Sequence, residues 1–189
     1  MSYTEKTFNI PTDISLSNEQ ITVHLGLYAG YVKNTNALLD KIRTWPAEGD
    51  IIALSELQRR LGFEFDGMRL HEYYFGQLEN GATSLKESKL LDLIVKQYGS
   101  FESYCADIKR LASMRGIGWV ITYYDTVSDM LINAWVSDHE LGHLAGLPII
   151  FTLDMWEHAF MVDYRPATKL EYVNQYLSLV NWDIVANRL

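Results

Sequence analysis

The segment Asp154-Met155-Trp156-Glu157-His158-Ala159-Phe160 sets a carboxylate, an indole, a second carboxylate and an imidazole within five residues, directly after the apolar run Pro148-Ile149-Ile150-Phe151-Thr152-Leu153. The run reads as a strand, and Asp154 as its junction to a helical turn. A four-residue separation places Asp154 and His158 on one side of such a turn, where both can face a single ion. A hard oxygen beside an imidazole suits iron, manganese or zinc better than a thiol-seeking metal. An isolated D-x-x-x-H is common, so its weight depends on the rest of the chain.

Outward from this segment, Trp119-Val120-Ile121-Thr122-Tyr123-Tyr124 is β-branched and aromatic. Asp125-Thr126-Val127-Ser128-Asp129 supplies turn residues before a second strand, Met130 to Val136, and Pro148 to Leu153 makes a third. Leu85 to Gln97 and Phe101 to Met114 are amphipathic and predict helices, and helices are expected again from Asp154 to the end. Near the N-terminus, Ser17 with Gln20 reads as a capped helix start, after which His24, Tyr28, Tyr31 and Thr35 recur at helical spacing. Ile51 to Leu61 and Leu70 to Leu78 continue the helical pattern, and Asn80-Gly81-Ala82 breaks it. The expected fold class is therefore α+β: an N-terminal antiparallel helical hairpin over residues 1–82, then a C-terminal α+β domain over 83–189 with a small three-stranded antiparallel sheet.

Composition narrows the function classes. The chain has 189 residues, 48% of them hydrophobic, enough to bury a sizeable core. No apolar run reaches the roughly 18 residues of a membrane span, and Met1-Ser2-Tyr3-Thr4-Glu5-Lys6 does not open a secretory signal, so a cytoplasmic protein without a membrane partner is expected. One cysteine, Cys105, excludes an intramolecular disulfide and reads as a half-buried apolar residue. A formal charge of −8 argues against nucleic-acid binding, which needs a basic surface.

The string D-M-W-E-H-A-F resembles the metal-ligand signature D-x-W-E-H-A-[FY] of the iron/manganese superoxide dismutase family. Val180-Asn181-Trp182-Asp183, Tyr98-Gly99-Ser100-Phe101 and Gly116-Ile117-Gly118-Trp119 are similar to further family landmarks, as are Leu70-His71-Glu72-Tyr73-Tyr74-Phe75, His24-Leu25-Gly26 and Tyr31-Val32-Lys33-Asn34. The resemblance implies one iron or manganese ion per subunit, held by His24, His71, Asp154 and His158, and superoxide as substrate. It further implies Tyr31 as the proton-relaying gateway tyrosine, with Tyr28 as the alternative because the chain is one residue short between His24 and Tyr31. Trp119 and Trp156 would be the aromatic walls of the cavity. The family's outer-shell Gln reaches in from one of two places. The first corresponds to Gly67 here, which offers no side chain, and the second to His139, which would hydrogen-bond the solvent on the metal. Glu157, expected to be poorly solvated between Trp156 and His158, would reach the partner subunit's metal ligand, implying a homodimer or a dimer of dimers. Met161 and Leu27 or Tyr28 depart from the family pattern at that interface. Arg165 and Lys169 would guide the anion towards an acidic protein.

A rival motif lies in His139-Glu140-Leu141-Gly142-His143, an H-E-x-x-H in which two histidines would hold zinc and Glu140 would act as general base. Ile149 stands where a third histidine belongs, Pro148 is beside it, and the motif falls between two strand-like runs rather than on a long helix. His143 is thus read as an ordinary loop histidine. Two more competing readings are an iron oxygenase on a two-His-one-carboxylate plan and a non-catalytic member of the same fold.

Overall fold

A computed structural model describes residues 2–189. Two 26-residue helices, α1 (Asn18–Arg43) and α2 (Ile51–Gly76), pack as the expected antiparallel hairpin. The Ser17 hydroxyl caps α1 by accepting the Gln20 N–H, Lys41 and Arg43 occupy its last turn, and Asp50 caps α2 through the Ile52 N–H. Helix α2 is continuous, although its sequence suggested two separate stretches. Gly62 and Gly67 interrupt the apolar period, yet Glu64, Met68 and His71 on the same stretch are buried, and packing against α1 outweighs the weak helix propensity of glycine. The hairpin ends at Asn80 and Gly81, with φ of 61° and 83°, a left-handed pair that reverses the chain.

Beyond it come α3 (Lys89–Tyr98) and α4 (Phe101–Ala112), capped by Ser88 and Ser100. The first begins later than Leu85 because Ser88 ends the preceding loop by accepting the Leu91 N–H. Strands β1 (Gly118–Asp125), β2 (Met130–Ser137) and β3 (Ile149–Asp154) form one antiparallel sheet in the order β2-β1-β3, with Trp119 paired to both Val136 and Asp154. The central strand is buried on both faces from Gly118 to Tyr124, which accounts for its unbroken apolar and aromatic character. Each large side chain buried there contributes about 1.5–3 kcal/mol.

The chain after Asp154 departs from the expected immediate helix. A 3-10 turn (Glu157–Ala159) and a second (Pro166–Thr168) precede α5 (Lys169–Leu179) and α6 (Trp182–Ala186). Pro166, which lacks an N–H and fixes φ, prevents one helix from running through the segment. Cys105 is half-buried on α4 and its thiol is pushed up to about 11 by burial, which keeps it protonated and inert. Among the described residues, no helix is long and apolar enough to cross a membrane.

Candidate metal centre

Four elements converge between the hairpin and the sheet. His24 projects from α1, His71 from the C-terminal half of α2, Asp154 closes β3, and His158 lies in the following 3-10 turn. The position of Asp154 follows from its backbone. Its strand pairing to Trp119, the Met155 N–H on the Gly118 carbonyl (2.8 Å) and the Tyr172 hydroxyl on its own carbonyl (2.8 Å) fix the main chain. Its Oδ1 accepts the Trp156 N–H at 2.8 Å, turning the chain out of the strand and leaving Oδ2 to face inward.

Three imidazoles aim Nε2 at that one oxygen: His24 at 3.1 Å, His158 at 3.2 Å and His71 at 3.6 Å. One ligand atom from each of the four residues lies within 4.8 Å of all the others, and among the described residues this is the group of His, Cys, Asp and Glu side chains arranged to hold a metal. His71 supplies the fit test. Its Nδ1 donates to the Gly67 carbonyl at 2.6 Å, so a neutral ring carries its lone pair on Nε2, which is buried without a partner. A lone pair directed at a carboxylate oxygen is unfavourable unless a cation lies between them, and a mononuclear iron or manganese ion fits this donor set.

Electrostatics favour the same state. Burial lowers the pKa of His24 and lowers that of His71 well below the usual 6.5, leaving both rings neutral and able to coordinate. For Asp154 burial opposes ionisation, but the charge and hydrogen bond of His158 and the hydrogen bond of His24 outweigh it and hold the carboxyl far below the usual carboxylate range.

Around the cluster, the Trp119 indole donates to His139 Nδ1 at 3.0 Å. A neutral His139 therefore carries its proton on Nε2, which lies 2.7 Å from the Tyr31 hydroxyl. Both ring nitrogens are engaged within the protein, which restricts the outer-shell role expected from sequence: the single Nε2–H already points to Tyr31. The Tyr31 ring lies 5.1 Å from that of His71, and burial, then the Asp154 and Glu64 charges, raise its phenol pKa above the ordinary range. The shortened spacing explains the alignment. Seven residues make nearly two full turns, so in the unbroken α1 Tyr31 stands on the face of His24. Tyr28, the alternative gateway, shares that face one turn after His24, but its hydroxyl is engaged away from the cluster. Its hydroxyl accepts the Lys6 N–H and donates to Glu72, and its phenol is pushed up to about 12, mainly by burial.

Aromatic rings close the cavity. Trp119 lies edge-on to His71 at 5.2 Å, and Trp156 stacks on His139 at 4.7 Å and on His158 at 5.5 Å. Glu157 is exposed on the single chain, against the expectation of poor solvation, because the 3-10 turn directs it away from the cluster. Lys169 is committed to the Met114 carbonyl at 2.6 Å. Gln20, not anticipated as a site residue, is fully buried, donates to the His158 carbonyl at 2.7 Å and accepts the Val162 N–H at 3.0 Å. Its place one turn before His24 on the same helix face was the available signal.

The H-E-x-x-H segment is no zinc site. It leaves β2 through a turn rather than a helix, both His139 nitrogens are occupied, and His143 binds Tyr123 and the His139 carbonyl.

Residues 86–188 match the family model described as iron/manganese superoxide dismutases, C-terminal domain. The chain is 36% identical over 185 residues to a superoxide dismutase [Fe] of Saccharolobus solfataricus, covering 92% of this chain and 85% of that protein. It is 34% identical to a superoxide dismutase [Fe] of Sulfolobus acidocaldarius, with 92% and 85% covered, and 30% identical to a superoxide dismutase [Mn] of Mycolicibacterium smegmatis, with 87% and 80% covered. With the His-His-Asp-His cluster in place and relatives aligned over most of its length, the chain belongs to the iron/manganese superoxide dismutase family.

Proposed function

We propose that the protein is a superoxide dismutase, converting superoxide to dioxygen and hydrogen peroxide at one iron or manganese ion held by His24, His71, Asp154 and His158. The observation that carries this reading is the convergence of three Nε2 atoms on Asp154 Oδ2, with His71 Nε2 buried and unpartnered. When bound, the ion supplies the redox chemistry, taking an electron from one superoxide and giving it to a second. The residues supply the rest. Asp154 offsets part of the positive charge, and the neutral rings of His24 and His71 add none. Tyr31 holds a proton on its hydroxyl at the edge of the cavity, kept there by a raised pKa and oriented by His139, ready for a reduced oxygen anion. Trp119, Trp156 and Phe63 exclude bulk water, which strengthens every charge interaction inside.

The same reading includes a two-fold dimer in which Glu157 bonds His158 of the second copy, a cytoplasmic location, and two domains meeting near residue 82. The Asn80–Gly81 reversal and the start of the family match at residue 86 support the division. The test is stopped-flow decay of superoxide with protein loaded separately with iron and with manganese. Decay should scale with bound metal for one or both ions and vanish in Asp154→Ala. Fully loaded protein that leaves superoxide decay unchanged with either ion defeats the proposal.

A further inference from the structure

We propose that His143, the unassigned second histidine of the H-E-x-x-H segment, is a positioning residue that fixes the orientation of His139 in the cavity; the role in turnover rests on the superoxide reading above. His139 sits at the tip of a short loop closed by reciprocal bonds, Ser137 N–H to the Leu141 carbonyl at 2.9 Å and Leu141 N–H to the Ser137 carbonyl at 3.1 Å. Asp138 takes the left-handed φ of 51° that so tight a reversal requires. Side chains hold the two peptides flanking His139. The Trp156 indole donates to the Asp138 carbonyl at 3.2 Å, Glu140 Oε2 accepts the His139 N–H at 3.2 Å, and His143 Nε2 donates to the His139 carbonyl at 2.8 Å.

Of these holds, His143 is hydrogen-bonded to the sheet and lies beside the hairpin. A carbonyl only accepts, so Nε2 carries the proton and the Nδ1 lone pair of the neutral ring accepts the Tyr123 hydroxyl of β1 at 2.6 Å. Asp66 Oδ2 of α2 lies 3.7 Å from the same Nε2. The loop tip is thereby tied to the sheet and set beside the hairpin that carries Tyr31. His139 must satisfy Trp119 at 3.0 Å and Tyr31 at 2.7 Å with one rigid ring, and a small rotation of its backbone would weaken both bonds.

The test uses the full chain and two readouts. The first is the indole N–H resonance of Trp119 in metal-free protein, which reports its bond to His139 Nδ1. His143→Leu should shift or broaden it, Tyr123→Phe should do so to a smaller extent, and His143→Gln, whose amide can donate to the same carbonyl, should restore it. The second is superoxide consumption per bound metal, which should fall about tenfold or more in His143→Leu, recover in His143→Gln, and fall no further when His143→Leu is added to His139→Ala. An unmoved Trp119 resonance in both His143→Leu and Tyr123→Phe, or additive losses in the double variant, overturns the inference. Should His143→Leu fail to fold, Tyr123→Phe and His143→Gln carry the same comparison. A metal-loaded wild type inert to superoxide defeats the parent reading, and the resonance readout still decides the positioning role.

Discussion

Gly67 shows how one position can govern the site by carrying no side chain. A Cβ there would fall 2.7 Å from Tyr31 Cδ1 and 2.9 Å from Cε1, so glycine is what lets the Tyr31 ring lie over His71 and reach His139. Gly67→Ala should displace the ring and destabilise the fold by about 1–3 kcal/mol in urea unfolding. A wild-type midpoint with the Tyr31–His139 bond intact would show that the space can relax. His139 yields a second expectation. Its pKa is lowered from 6.5 to about 4, burial outweighing the opposing pull of Asp154, and His24 and His71 shift in the same direction. Because these rings resist protonation when folded, the unfolded chain binds more protons below pH 6.5. Stability is therefore fully present above that pH and is lost as pH falls towards 4. Metal-free protein should show this decline in its melting temperature, and His139→Gln should remove up to about 3 kcal/mol of it. A wild-type profile flat across that window would contradict the assignment.

At the scale of the element, α1 is the organiser, since one helix face carries Gln20, His24 and Tyr31. Ser17 caps the helix as its sequence predicts, but the Gln20 side chain does not return to the cap. It is spent on the 3-10 turn that carries His158, and the Ser17 N–H is taken by Asp163 at 2.7 Å. Gln20→Leu should leave the His158 carbonyl and the Val162 N–H without their partner, reducing stability by about 1–3 kcal/mol and loosening metal in a chelator competition. Unchanged metal retention would confine Gln20 to fold stability. The starts of α1, α2 and α4, the three strands and the Asp154–His158 pair were legible because caps, β-branched runs and a dense local motif are encoded over a few residues, whereas His24 and His71 were reached through the family resemblance. The continuity of α2, the 3-10 turns after Asp154 and the second use of Gln20 were not legible, because each is settled by packing between segments distant in sequence. The choice of Tyr31 over Tyr28 was not legible either: spacings of seven and of four residues both share the face of His24, and the hydroxyl partners decide between them.

For the whole molecule, two halves meet at the cluster, and Glu157 beside His158 is exposed, where the proposed dimer would place a second copy. Met161, Val162 and Leu170 are exposed large apolar side chains on the same C-terminal segment, as an association surface requires. Glu157→Ala should shift sedimentation from dimer towards monomer and weaken metal retention. A variant that stays dimeric and fully metallated would remove Glu157 from the interface. In the proposed function, the chemistry depends on four side chains, from two helices, a strand end and a 3-10 turn, holding one redox metal. Anomalous diffraction at the iron and manganese edges, on crystals of the protein as purified, measures this without intermediary. One peak per chain is expected, bounded by Nε2 of His24, His71 and His158 and by Asp154 Oδ2. A metal found instead at His139 and His143, or one from which His24 stands beyond coordinating distance, would refute the four-ligand site.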